Sequence, residues 1–137
     1  MQRESFIFLD SQKSSGSANN FVFMLDTKLR GVHQAELVAA TFVRQSTDQN
    51  VILDIEELKG DGFVSNSCVS RSFAVIPVAA TALSSNVVFT TGGFFQITKY
   101  FDNYIDLDRL TVRWKDQSGA LVPMSANTLL LKIKHIK

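Results

Sequence analysis

The sequence is poor in the residues that carry chemistry. It has one cysteine, two histidines and one tryptophan in 137 residues. With Cys68 alone, no disulfide can form within the chain, so the fold does not depend on an oxidising compartment. Cys68 reads as a small core or half-buried residue. A zinc site needs clustered Cys or His ligands, and one cysteine with the distant His33 and His135 cannot supply a typical set. Nucleophilic catalysis needs a base beside the nucleophile. His33 follows a turn and His135 lies three residues from the C-terminus, so both read as surface positions. No Gly-x-Ser-x-Gly elbow is present. No excess of charge is present either. The formal net charge of +1 argues against a chain whose main task is neutralising phosphates, and it permits self-association. No window approaches the roughly 18 apolar residues of a membrane span. Met1 to Glu4 is polar and charged, without the apolar stretch expected of a signal peptide.

What the chain has is apolar alternation and phenylalanine. Hydrophobic residues make up 45%, and eleven are Phe. That predicts an ordered domain with a core of Phe packed against Val, Ile and Leu. The length suits one domain spanning residues 1–137, with no linker and no internal repeat.

The dominant period is two, the signature of strands. Phe6 to Leu9 is a short apolar run, followed by a Ser/Asn/Gly-rich loop from Asp10 to Asn20. Phe21, Phe23 and Leu25 share one face, and Gly31 ends the next turn. Val32 to Val43 mixes helix and strand formers, but Thr41, Phe42 and Val43 favour a strand. Val51, Leu53 and Ile55 mark a half-buried strand. Lys59 to Ser70 reads as a long polar loop. Ser72 to Val78 is a strand whose Pro77 belongs at an edge or bulge. Ala79 to Ser85 reads as a turn. Val87 to Thr90 and Phe94 to Tyr100 are strands around a Gly92-Gly93 turn. Leu110, Val112 and Trp114 point to the core. Asp116 to Gly119 closes a hairpin, and Leu129, Leu131 and Ile133 line the last strand. Eight or nine short strands with irregular loops predict an all-β fold. The expected form is a single eight-stranded jelly roll of two packed antiparallel sheets with Greek-key connections.

Other clusters carry bland readings beside sharper ones. Asp102, Asp106 and Asp108 offer oxygens to a hard cation, yet they read as a polar loop before Leu110, with Asp108 and Arg109 as a local charge pair. Asp54 and Glu56, with Glu57, read as acids on a solvated sheet face. Ser14-Ser15-Gly16-Ser17 lacks the Gly-Lys-Ser/Thr ending of a phosphate loop and reads as a mobile or interface loop. Arg113 and Lys115 would form a basic stripe with Lys132, Lys134 and Lys137 if their strands pair. Such a stripe would face nucleic acid, an acidic subunit or simply solvent. Of Phe94 and Phe95, alternation sends one inward and one outward, and an outward Phe suits a subunit contact. No residue is assigned a catalytic, cofactor-binding or metal-binding role, no cofactor is expected, and the chain is not expected to be an enzyme.

Two stretches carry a resemblance. Phe6-Ile7-Phe8-Leu9-Asp10-Ser11, a Ser/Gly/Asn loop and Asn20-Phe21-Val22-Phe23 resemble the opening of small jelly-roll minor capsid proteins of double-stranded DNA viruses. These are found in the nucleocytoplasmic large DNA virus, virophage and polinton-like lineages. Gln12 and Lys13 stand where that family commonly has Arg and Asp. Leu107-Asp108-Arg109-Leu110-Thr111-Val112, the Asp116–Gly119 turn, Asn127 and an apolar last strand resemble its closing part. The resemblance implies an architectural protein, a penton subunit. It would form a homopentamer at the five-fold vertices of an icosahedral capsid, within the virion. Its neighbours would be a double-jelly-roll major capsid protein and minor capsid proteins, with no sequence-specific nucleic-acid contact. The alternative is a jelly-roll binding module of lectin-like or receptor-binding type.

Overall fold

A computed structural model describes residues 2–59, 72–90 and 97–136, with backbone only at 97, 102 and 103. Cys68, Gly60 and Gly62, Gly92-Gly93, Phe94-Phe95 and Lys137 lie outside the described residues, as does the Asp102 side chain. Eight strands and two short 3-10 turns are described. The strands are β1 (Arg3–Asp10), β2 (Ser15–Ser17), β3 (Asn20–Val43), β4 (Asn50–Ile55), β5 (Ala74–Pro77), β6 (Asn86–Thr90), β7 (Ile97–Lys115) and β8 (Thr128–His135). The 3-10 turns are Ser11–Lys13 and Glu56–Leu58. Every pairing between these strands is antiparallel.

The pairings resolve into two layers. In the first, β1 pairs β8, and β8 pairs the second half of β3. The other side of that half is taken end to end by β6, along Ala39–Val43, and by the start of β7, along Gln34–Leu37. In the second layer, the first half of β3 pairs the end of β7, β7 pairs β4, and β4 pairs β5. The short β2 adds to the margin of β3 as a hairpin. The result is the expected all-β, jelly-roll-like fold, made as one curled antiparallel sheet.

The sheet is continuous because two strands belong to both layers. β3 runs for 24 residues and β7 for 19. Period-two reading breaks them into shorter strands, because register shifts between Met24 and Gln34 reset which side chains face inward. Gly31 therefore does not end a turn. It lies inside β3 at φ +67°, beside Ile136. The expected polar loop at Asp102–Asp108 is likewise the middle of β7.

The inner faces follow the alternation. Ile7, Leu9, Leu129, Leu131, Ile133, Ala35 and Leu37 are buried from the first layer. Phe21, Leu110, Val112, Trp114, Leu53 and Ile55 are buried from the second. Phe42 of the first layer packs on Trp114 of the second, ring centroids 4.8 Å apart. Val32–Val43 is strand, as its β-branched end predicts. Pro77 sits on β5, which pairs only with β4 among the described strands, an edge where a missing N–H costs nothing. β4 departs from the half-buried pattern. Its outward Ile52 and Asp54 are buried as well.

Candidate interaction surface

Three of the residues that carry the resemblance, Asp10, Ser11 and Asn127, meet in one structural knot. Asp10 accepts the backbone N–H of Gln12 at 3.0 Å and so caps the first 3-10 turn. The next residue, Ser11, is buried. Its N–H donates to the Asn127 carbonyl at 3.0 Å, and its Oγ accepts from the Asn127 N–H at 2.9 Å. The Asn127 amide reaches further. Nδ2 donates to the Ala18 and Ser125 carbonyls, and Oδ1 accepts from the Trp114 indole N–H at 3.1 Å. One buried residue thus ties the β1 exit, the β2–β3 hairpin, the end of β7 and the start of β8. Two residues beyond Trp114, Asp116 Oδ1 accepts from the N–H groups of Ser118 and Ala120 and from Ser118 Oγ. That explains the tight Asp116–Gly119 turn, where Gly119 takes φ +93°.

The charged clusters turn out to be neutralised. β7 and β8 do not pair with each other, so the expected basic stripe does not form. Lys132 lies 3.4 Å from Glu36 and 3.9 Å from Glu4, and Lys134 lies 4.0 Å from Glu4. On the other layer, Asp54 is not on a solvated face. It is 3% exposed, with Lys115 Nζ at 3.2 Å and Arg113 at 4.0 Å. Glu56 pairs with Lys59 at 3.0 Å and with Arg113 at 3.3 Å. The hydrogen bond and charge of Lys59, aided by Arg113, hold its carboxyl below the usual range. Glu57 accepts from Thr111 N–H and Oγ and pairs with Arg109 at 3.8 Å.

Chemistry finds little to work with among the described residues. No group of three or more His, Cys, Asp or Glu side chains converges. Asp106 accepts from the Gly31 N–H at 3.1 Å and lies 3.9 Å from Lys28. His135 is not at the surface. It is buried, with Nε2 2.8 Å from Ser5 Oγ. This Ser–His contact joins neighbouring strands β1 and β8. His33 is half-buried beside Tyr104, at 5.3 Å between rings. Burial pushes the Lys99 ammonium below its ordinary value. No helix among the described residues is long and apolar enough to cross a membrane.

The feature that stands out is the β1 margin. Among the described strands β1 pairs only with β8, so its other edge has no strand partner among them. Ile7 and Leu9 point inward, while Phe6 and Phe8 point out and are 62% and 59% exposed. Beside them, residues Phe23–Asp26 of β3 complete a groove of about 260 Å³, and Met24 is exposed at its rim. At the far margin of the same layer, Val88 of β6 is 71% exposed. Sequence reading marks Phe6–Leu9 only as an apolar run. The signal it passes over is that both faces of the Phe6–Leu9 stretch are apolar, which a solvated edge does not need. Ser15-Gly16-Ser17, read as a mobile or interface loop, is β2 of the neighbouring hairpin.

No protein-family model and no curated protein matches this chain.

Proposed function

We propose that this protein is a structural virion subunit, a penton that forms homopentamers at the five-fold vertices of an icosahedral capsid. The observation that carries the proposal is the β1 edge, without a strand partner among the described strands, with Phe6 and Phe8 exposed on a jelly-roll-like body. Natural sheets blunt a solvent-facing edge with charge, proline or short length. β5 does so with four residues ending in Pro77, whereas β1 has eight residues and two outward aromatics. A strand of that composition is built to be covered, which fits a subunit that works only in an assembly. The resemblance of the opening and closing stretches to minor capsid jelly rolls supports the same reading. On this reading the neighbours in the shell are a double-jelly-roll major capsid protein and minor capsid proteins.

Light scattering across concentration and salt tests it. A stable species of five 15.2 kDa chains is expected. A monomer or trimer with glycan affinity would favour the binding-module reading instead, for which the exposed Tyr100 and Tyr104 offer stacking surfaces.

A further inference from the structure

Among the described strands the first layer has two margins without a strand partner, and their polarity is informative. Its four strand positions alternate in direction, because each pairing across β1, β8, β3 and β6 is antiparallel. With an even number of positions, the two outer strands run in opposite senses. If one copy is set beside the next in the same orientation, β6 of one lies antiparallel to β1 of the other. The backbone polarity is then correct for strand addition without inverting either copy.

The side chains are compatible with this. Phe6 and Phe8 stand out from one margin and Val88 from the other. The outward charges between them are paired within each copy, Lys132 and Lys134 with Glu4 and Glu36. Two copies therefore meet without opposing like charges. The shorter margin sets the length of the contact: the five residues of β6 span about 17 Å along the eight of β1.

We infer that the β1 margin of one copy docks on the β6 margin of the next, a head-to-tail contact between unlike surfaces. The inference rests on the pentamer reading and names the faces that would form the ring. Unlike surfaces generate rings or filaments, whereas a β1-to-β1 contact would stop at a two-fold dimer.

The test uses two variants of the full chain, Phe6→Glu/Phe8→Glu and Val88→Glu. Each replaces exposed side chains, and circular dichroism with thermal melting checks that both still fold. Each variant alone is expected to lose the oligomer and run at the mass of one chain. Mixed, they are expected to form a heterodimer. The intact β6 margin of the first meets the intact β1 margin of the second, and the remaining ends are both blocked. Folded single variants that keep the wild-type mass would overturn the assignment of faces and leave a pentameric wild type standing. A Val88→Glu chain that self-dimerises would show β1 pairing with itself. A mixture that stays monomeric would also overturn the assignment. A wild-type chain that is monomeric at every concentration would overturn this contact and the pentamer in solution together.

Discussion

Single side chains decide more here than the composition suggests. Trp114 is fully buried, stacks on Phe42 and donates its indole N–H to Asn127. Trp114→Ala is expected to cost about 3–5 kcal/mol, the scale for emptying a core aromatic site, read as a lowered denaturant midpoint. Asn127→Ala removes a smaller volume but leaves the indole N–H and the Ala18 carbonyl without their partner. A loss of about 1–3 kcal/mol is expected from stranding such groups. Asn127→Asp keeps the acceptor for the indole but sets a buried carboxylate oxygen against the Ala18 and Ser125 carbonyls, so at neutral pH it should destabilise at least as much as Asn127→Ala. Trp114 was legible in the sequence, because the alternation Leu110, Val112, Trp114 places all three on one face. The environments of Asp54 and His135 were not. Their burial depends on what lies across from them, and no local pattern encodes that.

Elements show where a local period succeeds and where it stops. β1, β4, β5, β6 and β8 lie where alternation puts strands. β3 and β7 read as broken because irregular register between them moves Leu29, Val32 and Ala35 out of a single alternation. Gly31 makes the irregularity possible. Its φ is +67°, and a Cβ there would sit 3.0 Å from the Ile136 Cβ. Gly31→Val is expected to destabilise by about 1–3 kcal/mol through a left-handed backbone at a β-branched residue, measured as a drop in melting temperature. Which strands pair was beyond the sequence. The basic stripe failed because Arg113 and Lys115 lie in one layer while Lys132 and Lys134 lie in the other. The β1 edge, the centre of the candidate surface, was half legible. Its residues stood out as an apolar run, but only the pairing shows that one side of it has no strand partner among the described residues.

The whole molecule is nearly neutral, and its acid response follows from a few carboxylates. Lys59 holds Glu56 low, and the hydroxyl and N–H of Ser118 hold Asp116 low. A lowered folded value means that each contributes stability above its ordinary value, and that this is lost as pH falls through the folded one. Denaturant midpoints should therefore drop below about pH 4. Glu56→Gln with Asp116→Asn should make that drop shallower while lowering the midpoint at pH 7. Lys99 acts at the other end with the opposite sign. Its buried ammonium is disfavoured, so its contribution improves as pH climbs through the window below the ordinary lysine value.

The passage of β3 and β7 through both layers has a mechanical meaning. Most sandwiches hold their two sheets together by side-chain contact, and such layers can slide or peel apart. Here two unbroken backbones cross from one layer to the other, at Asn20–Val43 and Ile97–Lys115. A shear load applied to one layer reaches the other along covalent main chain, with the buried core carrying only the remainder. The body behaves as a braced frame, its two layers tied to each other along the main chain of β3 and β7.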